Sequence, residues 1–211
     1  AERLRGVVAV MHQGNAPSIP WYADSQLFDP HLRYAGEEVA IVAAETEAIA
    51  DEALSLIEVE YEILPFETGT MDMLKEGAPD LHDHGPIVDG EPNTGGRGDV
   101  DAAFSEADVI VEGEFITAVD VHNPLEPHNS VAYWTGDELT VYDSTQGVFP
   151  LRNTVAEKLD MPASSVKVVA PAVGGGFGAK LTTSKHTVMA ALLAKQTGRP
   201  VSITLDRKEM N

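Results

Sequence analysis

The stretch Val173, Gly174, Gly175, Gly176, Phe177, Gly178, Ala179, Lys180 lies between a predicted strand, Ser165 to Ala170, and a predicted helix, about Thr183 to Thr197. Four glycines in the five positions 174–178 remove nearly every Cβ from the turn. Its backbone N–H groups can therefore come within hydrogen-bond distance of an anion or a polar cofactor. The plainer alternative is a glycine-rich crossover that binds nothing. A phosphate-cradling loop ending in Gly-Lys-Ser/Thr is excluded, because Lys180 follows Ala179 and precedes Leu181. A nicotinamide-dependent dehydrogenase stays open. Gly174, Gly176 and Ala179 fit G-x-G-x-x-G/A, and Asp206 closes the next predicted strand, Val201 to Leu205, where a ribose-binding carboxylate would sit. Against it, Leu181 to Ser184 separate the glycines from the apolar helical face, whereas the last glycine of that fingerprint packs inside the first turn of its helix.

Two further motifs precede the loop. Glu126, Pro127 and His128 lead into Asn129, Ser130, Val131, Ala132, Tyr133 and Trp134, and Ser144, Thr145 and Gln146 close the run Leu139 to Asp143. The order EPH, STQ, GGGFG-x-K closely resembles the molybdopterin-binding subunit of the xanthine dehydrogenase and aldehyde oxidase family. The resemblance extends upstream through Arg33 to Ala40 and Val59 to Pro65, so it covers almost the whole chain.

The resemblance implies a mixed α/β architecture: an α/β hammerhead domain over residues 1–66, a Gly/Pro-rich connector over 67–98, and the first part of a molybdenum-cofactor-binding domain over 99–211. It also implies hydroxylation of an aldehyde or aromatic heterocycle with water as oxygen source, the family glutamate acting as base. Two electrons then pass to iron–sulfur clusters and FAD on partner subunits or domains. Gln146 matches the glutamine whose amide donates to the oxo ligand, and Gly175, Gly176, Phe177 and Gly178 match the backbone that approaches the pterin cofactor. Leu181 stands where purine-oxidising members carry a glutamate that holds the heterocycle. An apolar side chain cannot make that contact, so an aldehyde or apolar aromatic substrate is favoured over a purine. The family base falls outside these residues, and the chain is expected to be a fragment of a larger subunit, inactive by itself. A noncatalytic assembly domain of the same family is the other alternative.

Composition narrows the field. The 211 residues carry a formal charge of -20, which repels phosphate backbones and argues against nucleic acid as partner. No apolar run approaches membrane-spanning length, and no secretory signal pattern opens the sequence. A cytoplasmic location is expected, with periplasmic export alongside a partner as the other route. Cysteine is absent, which removes disulfides, thiolate zinc sites and all-cysteine iron–sulfur clusters. His82, Asp83 and His84 sit in a Pro/Gly-rich stretch, and His122 and His128 flank Pro124 and Pro127 without metal-ligand spacing. No protein-held metal is assigned. Glu126 is read as structural, because the family base lies elsewhere.

Hydrophobic periodicity gives the elements. Gly6 to His12 and Val39 to Ala43 read as strands. Thr46 caps a helix whose Ile49, Ala50, Ala53, Leu56 and Ile57 share one face. A strand from Val59 to Leu64, stopped by Pro65, completes an expected βαβ unit. A short helix is expected at Met71 to Lys75 at most, another at Val100 to Ala107, and a strand over the alternating Val109, Val111, Gly113 and Phe115. Ser130 to Trp134 and Glu138 to Asp143 form a hairpin across Thr135, Gly136 and Asp137. Val148 to Leu159 is a helix that returns the chain to the strand before the glycine loop.

Overall fold

A computed structural model describes residues 1–83 and 94–210; His84 and part of the expected connector lie outside the described residues. The chain divides into two compact units, one made of residues 1–62 with 121–211 and the other of residues 63–120.

In the first unit, β1 (Val7–His12) and β2 (Ala40–Ala44) pair antiparallel. Helix α1 (Glu47–Ser55) follows, its first turn capped by Thr46, whose Oγ1 accepts the Ile49 N–H at 3.3 Å. The expected βαβ unit does not form. Its first strand, β2, pairs antiparallel with β1 instead, and segment 59–64 has no ladder partner among the described residues. Alternating hydrophobicity made the segment look like a strand, but without a partner its backbone has no strand hydrogen bonds.

The second sheet has four strands in the order β5 (Val166–Val169), β4 (Glu138–Asp143), β3 (Asn129–Thr135), β6 (Val201–Thr204). Strands β3 (Asn129–Thr135) and β4 (Glu138–Asp143) form the hairpin, tighter than expected: Thr135 pairs with Glu138, leaving a two-residue turn. Gly136 takes φ +60° there, the left-handed region such turns need. Helix α3 (Val148–Lys158) carries the chain to β5 (Val166–Val169), which lies parallel to β4. Beyond the glycine loop, helix α4 (Lys185–Thr197) ends at Gly198 with φ +64° and leads to β6 (Val201–Thr204), antiparallel to β3.

Helix α4 is buried nearly all round because it touches β3, β4 and β6 as well as β1. Val188, Met189, Ala190, Ala191 and Leu193 meet Ala132, Leu139, Val141 and Val166 of the second sheet and Ala9 and Met11 of β1 in one hydrophobic core. The amphipathic reading of this helix thus gives way to a helix sandwiched between sheets. Its small residues allow close approach, and Trp134 Nε1 donates to Ala191 O at 2.8 Å.

The unit of residues 63–120 holds helix α2 (Val100–Glu106), capped by Asp99 accepting the Ala102 N–H at 2.9 Å. Segment 71–75 forms turns, not a helix, and the expected strand at 109–115 is unpaired among the described residues. Val111 and Phe115 are 89% and 94% exposed, so among the described residues no second layer buries the alternation there.

Candidate functional site

The three sequence motifs meet around one residue, Lys180. The β3–β4 hairpin holds the two earlier motifs at its open end, with EPH just before β3 and STQ just after β4. Because β5 runs parallel beside β4, the loop leaving β5 arrives at the same edge. Topology, not sequence proximity, therefore assembles the site.

Gln146 lies between loop and sheet. Its Oε1 accepts the Gly178 N–H at 3.0 Å and the Lys180 N–H at 3.3 Å, and its own N–H donates to Lys180 O at 2.9 Å. With the carbonyl end committed, the Nε2 donor end has no acceptor among the described residues. The loop backbone is shaped for this grip. Gly175 and Gly178 take φ +102° and +104°, and Phe177, though not glycine, takes φ +52° and is 73% exposed. A left-handed Phe is strained by about 1–3 kcal/mol. A Cβ on Gly176 would collide with the Gln146 side chain, 2.5 Å from its Cδ and closer still to Oε1.

The N–H groups of Gly175, Gly176 and Phe177 meet no protein acceptor among the described residues. Three adjacent donors beside the free amide of Gln146 make a cradle for a polar, anionic group. The donor set fits a phosphate-bearing organic cofactor.

Glu126 and His128 grip the loop from the other side. Glu126 Oε2 accepts the Gly174 N–H at 2.7 Å and faces Lys180 Nζ at 2.9 Å. Burial alone would raise the Glu126 carboxyl; the hydrogen bonds from Lys180 and Gly174 outweigh it and hold it below the usual carboxylate range. His128 Nε2 is 3.1 Å from Ala179 O. Beneath them, Thr187 Oγ1 donates to Asp143 at 2.8 Å and Ser130 Oγ also donates to it, while burial pushes the Asp143 carboxyl up. The sequence singled out Gln146, the glycines and Leu181. It gave no role to Lys180, whose value lies in contacts across fifty-four residues, and nothing in its local pattern signals them.

Asp206 belongs to another structure. Its Oδ1 accepts the N–H groups of Lys208 at 2.7 Å and Glu209 at 2.8 Å. It closes its own turn, β6 pairs with β3 and not with β5, and α4 starts only at Lys185. The dinucleotide-binding reading fails on that topology.

Leu181, 55% exposed, lines a cleft of about 260 Å³ with Trp21, Tyr22, Pro150, Thr154, Thr183 and Lys158, whose Nζ lies 5.5 Å from the Trp21 ring centroid. The aromatic pair comes from the loop between β1 and β2 and was not among the expected site residues.

Residues 82–211 match the molybdopterin cofactor-binding domain, and residues 1–65 match the aldehyde oxidase and xanthine dehydrogenase a/b hammerhead domain. The chain belongs to the molybdenum hydroxylase family. It is 33% identical to the putative xanthine dehydrogenase molybdenum-binding subunit XdhA of Escherichia coli K12, over 99% of this chain and 30% of that subunit. It is 32% identical to the aldehyde oxidoreductase molybdenum-binding subunit PaoC of the same strain, over 98% of this chain and 28% of that one. The crystal structure of quinoline 2-oxidoreductase from Pseudomonas putida 86 superposes with a TM-score of 0.79 at 29% identity, covering 99% of this chain and 28% of that one. The chain thus spans under a third of these molybdenum hydroxylase subunits, and it combines the hammerhead domain with the start of the cofactor-binding domain, as the resemblance implied.

Proposed function

We propose that the full-length protein containing this chain hydroxylates an aldehyde or an apolar aromatic heterocycle. The observation that carries this reading is Gln146, fixed by its carbonyl to the Gly178 and Lys180 amides with its donor end beside three free loop N–H groups. When bound, a molybdenum–molybdopterin would supply the redox chemistry, namely transfer of oxygen from water to an electrophilic carbon with two electrons passed on to iron–sulfur and FAD groups on partner subunits or domains. The N–H groups of Gly175, Gly176 and Phe177 bind the cofactor's polar periphery. Gln146 Nε2 offers a preorganised donor to the metal group, and its fixed carbonyl spares the reaction any reorientation of that dipole. Gly178 lets the backbone pass close without a Cβ. Glu126 serves as a structural partner in this arrangement, because its Oε2 is committed to the Gly174 N–H and to Lys180 Nζ.

Leu181, Trp21, Tyr22 and Pro150 form the apolar side of the cleft. They offer flat hydrophobic area and, at Leu181, no hydrogen bond for a ring nitrogen or carbonyl, which supports an aldehyde or apolar aromatic substrate over a purine. A cytoplasmic location is part of the same reading; among the described residues no helix is long and apolar enough to cross a membrane.

The test is elemental analysis of the purified full-length protein, with turnover of benzaldehyde, quinoline and xanthine in ¹⁸O-labelled water using an artificial electron acceptor. Molybdenum in the protein with label in the benzaldehyde or quinoline product is expected. A protein free of molybdenum, or product oxygen not drawn from water, would overturn the reading.

A further inference from the structure

The cradle has a fastening that the proposed chemistry leaves unused. Lys180 Nζ, its side chain 1% exposed, donates to Glu126 O and Glu126 Oε2, each at 2.9 Å. The same Oε2 accepts Gly174 N–H at 2.7 Å, and Glu126 N–H donates to Gly174 O at 3.2 Å. One carboxylate oxygen therefore holds both ends of the loop between Gly174 and Lys180. Lys180 also holds Gln146 through its backbone: its N–H reaches Oε1 at 3.3 Å and its C=O takes the Gln146 N–H at 2.9 Å and Thr145 Oγ1 at 3.3 Å.

We propose that the Glu126–Lys180 ion pair is a positioning clamp that sets the Gln146 amide and the free N–H groups of the glycine loop for turnover. The inference rests on the reading of this site as the cofactor cradle. Both side chains act on Gln146 and the loop indirectly, through Lys180's backbone and Gly174. A misplacement of about 1 Å in such a constellation lowers turnover by roughly 100-fold while leaving substrate contacts elsewhere intact.

The burial of the pair is lopsided, and this separates positioning from folding. Glu126 is 30% exposed and can hydrate if Lys180 loses its charge, whereas the Lys180 ammonium is 1% exposed and keeps only one carbonyl if Glu126 is truncated. E126A should therefore harm folding more than K180M. In the double variant K180M/E126Q no charge is stranded, the amide carbonyl introduced at position 126 can still accept Gly174 N–H, and the fold should survive.

The test compares wild type, K180M and K180M/E126Q in the full-length protein by kcat, KM and molybdenum content, and the cofactor-free protein by amide hydrogen exchange over residues 174–181. For the double variant we expect a Tm within about 5 °C of wild type, exchange at least about 10-fold faster in the loop, kcat lower by roughly 10- to 100-fold and KM within about 3-fold. Wild-type exchange rates, or wild-type kcat in a variant with loosened exchange, would overturn the clamp. A wild-type protein lacking molybdenum would instead overturn the reading of the site, and the exchange measurement would still decide whether the pair fastens the loop.

Discussion

Gln146 Oε1 accepts the N–H of Gly178, thirty-two residues further along the chain, at 3.0 Å. This bond crosses from the end of β4 to the loop after β5, and it is possible only because Gly176 between them carries no side chain. A Cβ there would displace the Gln146 amide.

Replacing Gly176 with valine should therefore lower molybdenum content and turnover of the full-length protein together. Gly178→Val should do the same by another route, since its φ of +104° is costly for a β-branched residue, about 1–3 kcal/mol. Metal analysis with parallel assays checks both. Full cofactor content and activity in the two variants would remove the loop from the site.

Gln146 can be dissected further. Gln146→Ala removes the donor and the anchoring carbonyl, and turnover should drop by roughly 10- to 1000-fold, the range for loss of one positioned donor. Gln146→Glu keeps an acceptor for Gly178 and Lys180 but loses the Nε2 donor. Its carboxylate also repels an anionic group in the cradle, so cofactor content and turnover should both fall at least as far as in the alanine variant. If the glutamate variant works at the wild-type rate, donation from Nε2 is not part of the mechanism.

Local pattern carried much of this molecule. The Thr46 cap, the β3–β4 hairpin and helices α3 and α4 follow from periodicity and capping residues, which act within a few positions. Motif order pointed to Gln146 and the glycines, which the fold brings into contact. What the sequence could not show depends on distant partners. Segments 59–64 and 109–115 alternate like strands, yet a strand exists only where another backbone completes the ladder. Trp21 and Tyr22 reach the Leu181 cleft through tertiary packing, and Lys180 looks like a surface lysine until Glu126 lies beside it. The apolar face expected for α4 proved to be only part of a helix covered on both sides.

That covering is fastened by charge at the N-terminus of α4. Lys185, 3% exposed, lies 3.5 Å from Glu37 Oε1 and 3.2 Å from Glu38 Oε2, and Glu37 is also held by the Arg33 N–H at 2.7 Å. Lys185→Met leaves Glu37 buried without its cation and should cost about 3–5 kcal/mol in denaturant unfolding. Lys185→Met with Glu37→Gln should recover most of that loss. Equal destabilisation in the single and double variants would show that packing of the lysine stem, not its charge, is what matters.

His186 makes the stability depend on pH. The residue is 4% exposed on α4, neither ring nitrogen has a hydrogen-bond partner among the described residues, and the His128 ring centroid is 6.1 Å away. Burial first, and the neighbouring His128 second, push the imidazole down to about 3 from its ordinary 6.5. As pH falls through 6.5 the unfolded chain takes up a proton that the folded chain refuses, so stability contributed by the neutral ring is lost progressively toward pH 3. Asp143, raised by burial, works the other way, but it remains in both proteins when wild type is compared with His186→Leu. Between pH 7 and 4.5 the wild type should lose on the order of 2 kcal/mol more than the leucine variant. Denaturant midpoints at the two pH values measure the difference; equal losses would mean that the folded state admits the proton at His186.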